Sequence, residues 1–357
     1  MKNLLILLTI IGSLYNVKGQ TIISDSIVCV SDSLCLKGTL SYPESGKKLP
    51  AVIIISGTGK QDRDGSFAEH KPFFEIAQCL NNAGFAVLRM DDRGVGESEG
   101  VYEDATTMDF VSDVKAEIEL LKKHPNIDKD KIGLIGHSEG GAVAFILASS
   151  NKDVKFMVSL AGLAVDGYTS LILQNRAILE NSKYVKPQDV DLYMNLYTCM
   201  FKAVKNTPLE KDIEPVLDSV FTIWKTEQSE ENLIAMHMND GRDQGFLYRY
   251  KNIAKKAWYR QMIRYNPEEF ISNIKIPVLA LNGDKDIMVT PEENLNNIER
   301  LLKKANNKNF KTVLLPDHNH MFQHCEECSQ AEIPNLPEAI SGETLDAMSA
   351  WLRRNVN

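Results

Sequence analysis

Lys131-Ile132-Gly133-Leu134-Ile135-Gly136-His137-Ser138-Glu139-Gly140-Gly141-Ala142 joins a β-branched run to a small apolar one through a single serine. The spacing predicts a buried strand over 131–136 and a buried helix over 140–150, with Ser138 on the turn between them. A sharp turn there exposes the hydroxyl at the carboxyl end of a sheet. Gly136 and Gly140 permit the close backbone approach that such a strained serine needs, and Gly141 with Ala142 lets the helix lie tightly on the sheet. Gly-x-Ser-x-Gly is a short pattern, and the alternative is a glycine-rich turn with a capping serine. The strand-turn-helix placement favours the nucleophile.

Working outward, short β-branched runs alternate with amphipathic helical stretches, the pattern of a mostly parallel sheet flanked by helices. Strands are expected at 50–55, 85–90, 156–160, 276–281 and 311–315, and helices at 71–82, 107–124 and 342–354. The stretches 26–30 and 34–42 alternate enough for an antiparallel ribbon at the sheet edge. Between 166 and 270 strand alternation stops and helical stretches carry scattered aromatics such as Tyr168, Tyr197, Phe221, Trp224 and Trp258. This divides the chain into a core over 20–165 and 271–357 and a helical lid insertion over 166–270.

A chain of 357 residues, 43% hydrophobic and 25% charged, can bury one large core plus an insertion. Its net charge of -8 without a basic run argues against a nucleic-acid partner. Lys2, the apolar run 4–14 and the small and polar residues to Gly19 read as a secretory signal peptide over 1–19, too short to span a bilayer comfortably. The mature chain is therefore expected outside the cytosol, periplasmic or secreted, with no membrane span after cleavage. Export makes disulfides permissible: Cys29 and Cys35 across a turn, and Cys325 with Cys328. The Cys-x-x-Cys pair with His318, His320 and His324 also suggests zinc. His320 has a better use, and no metal or cofactor is expected. Cys79 and Cys199 read as buried apolar residues.

A serine hydroxyl needs a base and an orienting carboxylate, expected in the order Ser, acid, His. Gly283-Asp284-Lys285-Asp286 follows one strand and His318-Asn319-His320 another. Spacing alone leaves Asp284 against Asp286 and His318 against His320 open. The stretches Ile55 to Gly65, Arg89-Met90-Asp91-Asp92-Arg93-Gly94-Val95-Gly96-Glu97-Ser98, Gly136 to Gly141, Leu281 to Val289 and Asn319-His320-Met321-Phe322-Gln323 together resemble bacterial α/β-hydrolase carboxylesterases, related to the prolyl-oligopeptidase-like and serine aminopeptidase-like groups. The likeness runs from about Leu36 to Trp351. It implies the α/β-hydrolase fold, with Asp286 as acid and His320 as base. The rule for that fold takes one oxyanion donor from the backbone of the residue after the nucleophile, here Glu139. The second lies near Gly57 or Thr58, where this chain carries Ser56-Gly57-Thr58-Gly59 in place of the frequent His-Gly. Thr58 is assigned by position.

Asp92 to Ser98 reads as architecture, with Arg93 tying loops by ion pairs; Asp62, Arg63 and Asp64 either border the pocket or pair structurally. Glu139 is expected to offer its backbone, its side chain lying at the rim or held by an arginine. The expected activity is hydrolysis of small-molecule carboxylic esters, with short-chain acyl or acetyl esters favoured. A serine aminopeptidase or amidase with the same triad is the alternative, and a non-catalytic binding module on the same fold the third reading.

Overall fold

The computed structural model describes residues 21–356; the leader read at 1–19 lies outside the described residues. Strands β1 (Ile22–Ser31) and β2 (Leu34–Pro43) form the antiparallel edge ribbon. Then follow β3 (Leu49–Ile55), α1 (Pro72–Asn82), β4 (Ala86–Met90), α2 (Thr107–Leu121), β5 (Ile127–His137), α3 (Glu139–Ser150) and β6 (Val154–Leu160). After an all-helical segment come β7 (Val278–Gly283), α11 (Pro291–Lys304), β8 (Phe310–Leu315) and α12 (Gly342–Val356), the intervening helices being α4 to α10. The eight strands run in the order β1-β2-β4-β3-β5-β6-β7-β8, antiparallel from β1 to β4 and parallel from β4 onward.

Period-two geometry sends alternate residues of each central strand into different layers. Ala51, Ile53 and Ile55 of β3, with Leu134 of β5, meet α2, α3 and α11 through Val114, Ile118, Phe145 and Leu301. Val52 and Ile54, with Ile135, meet α1 and α12 through Ile76, Leu80, Met348 and Leu352. Burial on both faces is why these strands read as continuous apolar runs. Each such side chain contributes about 1.5–3 kcal/mol on burial.

The segment between β6 and β7 contains α4 (Gly167–Glu180), α5 (Val190–Asn206), α6 (Ile213–Thr226), α7 (Glu230–Ala235), α8 (Arg242–Ala254), α9 (Ala257–Met262) and α10 (Glu268–Ile271). It has its own cluster, in which Leu196, Phe201, Leu217, Phe221, Trp224 and Tyr259 are buried together. Among the described residues no helix is long and apolar enough to cross a membrane.

Cys325 and Cys328 form a disulfide, whereas Cys29 and Cys35 are free thiols. The register explains the second result. Cys29 lies opposite Leu36 and Val30 opposite Cys35, so the two cysteines project to opposite faces of the ribbon and cannot be bridged. Cys79 and Cys199 are half-buried rather than buried.

Candidate active site

Ser138 follows β5 directly and caps α3, with φ 55° and ψ -118°. That backbone conformation is sparsely populated for a residue with a Cβ and costs of the order of 1–3 kcal/mol, so surrounding packing must enforce it. A Cβ at Gly136 would collide with the Gly140 carbonyl, and one at Gly140 with the carbonyls of Ile55 and Ser56. The two glycines let strand, helix and the β3 loop close around the serine. A Cβ at Gly57 would stand 3.0 Å from that of Ser138, so the loop after β3 passes against this serine.

Asp286, in the turn after β7, is 4% exposed. Its Oδ1 accepts the N–H groups of Met288 (2.7 Å) and Val289 (2.9 Å), which aims Oδ2 at His320. His320 Nδ1 donates to that Oδ2 at 2.7 Å, fixing the tautomer and leaving Nε2 as the basic nitrogen. The rival residues are engaged elsewhere. Asp284 Oδ1 accepts the Asp317 N–H at 2.7 Å and pins the β8 loop. Buried His318 has Nδ1 2.6 Å from the Pro316 carbonyl and Nε2 2.7 Å from Ser341 Oγ.

Ser138 and His320 line one cleft of about 320 Å³ together with Gly57, Thr58, Leu171, Trp258 and Met288. Ser138, His320 and Thr58 meet in this cleft, and Asp286 joins them through its bond to His320 and Glu139 through its bond to Thr58, although among the described residues no hydrogen bond joins Ser138 Oγ to His320. Glu139 occupies the first position of α3, where backbone N–H groups have no helical acceptor and the helix dipole is positive.

The Glu139 side chain departs from the expectation of a rim position or an arginine partner. It is 3% exposed and accepts three bonds from neutral donors. Thr58 Oγ1 reaches Oε2 at 2.7 Å, Thr107 Oγ1 reaches Oε1 at 2.6 Å and Trp258 Nε1 reaches Oε1 at 2.8 Å. One carboxylate thus joins the β3 loop, the start of α2 and helix α9. Sequence reasoning missed Trp258 in this role, and no local pattern marks it: it lies 119 residues from its partner.

His137 was also missed. Its Nε2–H donates to the His320 carbonyl at 3.0 Å, and its ring lies 4.7 Å from that of His320. Burial, then the nearby His320, pushes its pKa down to about 4, so it supports the base loop as a neutral ring. The charged motif after β4 is architectural: Arg93 donates to both Asp113 oxygens, at 2.5 and 2.8 Å, and pairs with Asp32 and Asp109. Arg63 pairs with Asp91 and Glu97, and Arg89 with Asp64.

A family model described as X-Pro dipeptidyl-peptidase (S15 family) matches residues 32–321. Esterase EstD of Thermotoga maritima is 20% identical over 318 residues, covering 89% of this chain and 65% of that protein. An uncharacterized 31.7 kDa Escherichia coli protein from the traX-finO intergenic region is 32% identical over 126 residues, 35% of this chain and 42% of that protein. The chain thus spans less than two thirds of the length of these curated relatives. Among solved structures, the Pyrococcus furiosus esterase Pf2001 aligns with TM-score 0.54 at 18% identity, covering 94% of this chain and 92% of that one. The α/β hydrolase GrgF from Penicillium sp. sh18 aligns with TM-score 0.55 at 16% identity, covering 94% and 99%. These likenesses establish the fold. With an α/β-hydrolase fold and a family match over most of its length, this chain belongs to the X-Pro dipeptidyl-peptidase (S15) family.

Proposed function

We propose that this chain is an exported serine hydrolase that cleaves carboxylic esters through an acyl-enzyme. The observation that carries the reading is Ser138, held at positive φ on a strand-to-helix turn and facing one cleft with His320, whose Nδ1 is bonded to buried Asp286. His320 Nε2 takes the Ser138 proton as Oγ attacks the ester carbonyl carbon. The developing oxyanion rests on the N–H groups of Thr58 and Glu139, and loss of one such donor costs about 10²–10³ in kcat. Collapse of the tetrahedral intermediate breaks the C–O bond, and the alcohol leaves with the proton from His320. Water, deprotonated by His320, then releases the acid and restores Ser138. Asp286 orients the imidazole through its bond to Nδ1.

Short-chain acyl or acetyl esters fit the cleft in chemistry. The relatives named esterases favour ester over amide, and so does the lining. A peptidase that takes a free amino terminus needs a carboxylate for the substrate ammonium, and among the described residues lining the cleft there is none. Three acidic residues of the helical insertion are spent in surface pairs: Glu210 with Arg260, Glu214 with Lys255 and Asp218 with Lys251. A cleft of Leu163, Leu171, Met288 and Val289 suits an uncharged acyl group.

A fluorophosphonate probe is expected to label Ser138 in the folded protein and to spare Ser138→Ala, with p-nitrophenyl acetate cleaved far faster than aminoacyl p-nitroanilides. A folded protein that never labels, or one that prefers the anilides, overturns the reading. Amino-terminal sequencing of protein recovered from outside the cytosol is expected to begin near Gln20; retention of residue 2 in that fraction rejects cleavage of the leader.

A further inference from the structure

We infer that the Ser138 cleft continues past Met262 into a second apolar compartment, which takes the far end of an extended straight-chain acyl group. The inference rests on the ester-hydrolase reading above and names the substrates it favours.

A second, half-open cavity of about 270 Å³ lies between the helical insertion and the helices of the core, its apolar wall formed by Met108, Ile146, Tyr265 and Phe270 and its rim by Gln261, Asn266 and Glu269. Met262 lines both this cavity and the cleft of Ser138. Beside it the partition is held by hydrogen bonds. Thr107, on the side of the second cavity, and Trp258, on the side of the cleft, both donate to the buried Glu139 carboxylate. Neither can swing away without leaving that carboxylate short of a donor. Met262 is different. It is half-buried, unbranched and polarizable, with three rotatable bonds and no side-chain hydrogen bond to lose. The partition therefore opens at Met262.

The lining selects the occupant. On the cleft side Leu163, Leu171 and Val289 line the same cleft as Ser138 and Met262, and Ile146 and Phe270 line the second cavity with Met262. Among the described residues lining it, the one cation, Arg264, spends its guanidinium on the carbonyls of Val204 and Thr207 at 2.6 and 2.7 Å. An alkyl chain gains with each methylene that leaves water along this path. A short acyl group ends before Met262 and gains nothing from the second compartment.

The test fills the second compartment from its outer side. Met108 is 46% exposed, so Met108→Trp adds bulk there without burying a new group in the core. The p-nitrophenyl esters of acetate, butyrate, octanoate and dodecanoate are compared on wild type, Met108→Trp and Met262→Ala, with fluorophosphonate labelling of Ser138 in each. Met108→Trp is expected to lower kcat/KM for octanoate about tenfold while acetate and Ser138 labelling stay as in wild type, and Met262→Ala to raise octanoate over acetate. Calorimetric binding of octanoate, which needs no turnover, is expected to weaken in step. Equal effects on acetate and octanoate, with Ser138 labelled, overturn the second compartment and leave the hydrolase reading standing. A folded wild type that does not label overturns the hydrolase reading, and the calorimetry then decides the compartment by itself.

Discussion

Glu117 on α2 is 4% exposed and borders a pocket of about 40 Å³, shared with Asp92, Arg93, Asp113 and Glu139 directly behind the β3 loop. Burial, followed by the negative charges of Asp113 and Asp92, pushes its carboxyl up from 4.5 to about 8. At 1.36 kcal/mol for each tenfold step, this displacement is worth about 5 kcal/mol. Because the folded value lies above the unfolded one, the folded chain keeps a proton that the unfolded chain has lost. The contribution is whole below about pH 4.5 and is lost as pH rises through about 8. Replacing Glu117→Gln keeps the shape and removes the titration. The amide carries its own burial cost, equal at every pH, so the pH dependence of the difference carries the result. In urea unfolding, the variant is expected to gain several kcal/mol relative to wild type between about pH 5 and pH 9. With slopes of about 1–3 kcal/mol per molar urea, that displaces the midpoint by roughly 1 M or more. Asp92, raised to about 7 mainly by burial, supplies a second slope that both proteins retain. Wild-type and Glu117→Gln curves that stay parallel across this range would refute a buried, protonated Glu117.

Asp286→Asn is expected to lower kcat for p-nitrophenyl acetate by about 10⁴ with KM little changed, because the imidazole loses its tautomer anchor. Trp258→Phe removes the 2.8 Å bond to Glu139, and loss of one donor to the carboxylate is worth about 1.5–3 kcal/mol. The expected result is a raised KM and faster proteolysis within 167–271 at an almost unchanged urea midpoint of the core. Asp113→Ala leaves the buried Arg93 guanidinium without its paired carboxylate and is expected to cost about 3–5 kcal/mol in urea unfolding. An Asp113→Ala protein as stable as wild type would show that Asp32 and Asp109 suffice.

The central strands were legible because burial on both faces writes an uninterrupted apolar run, as in Pro50 to Ile55, and because glycine punctuates the turns around Ser138. Helix α11 is absent from the sequence reading, although Thr290-Pro291 marks its start and Ile298, Leu301 and Leu302 mark its buried face. Elsewhere the deciding quantity was three-dimensional. Asp284 and Asp286 differ by two positions in one turn, and what separates them is which carboxyl meets the Met288 and Val289 N–H groups. Cys29 and Cys35 are close in sequence, but strand register puts them on opposite faces. The helices over 167–271 could be read as helical texture, whereas their arrangement depends on long-range packing of aromatics that carries no local period.

Glu139 shows why the densest part of the site escapes sequence reasoning. A buried carboxylate without a cation is costly, and this one is held by three neutral donors from three separate elements. Its backbone N–H begins α3 beside Ser138, while its carboxylate fixes the loop carrying Thr58 and the cap residue Trp258. Displacing any one of the three would leave the charge undersolvated, so the nucleophile turn, the β3 loop and the cap share one positional constraint. Cores of equal volume can be built more stably with apolar residues in such a place. The arrangement ties the loop carrying Thr58 and the start of α3 to Trp258 of α9 through one side chain.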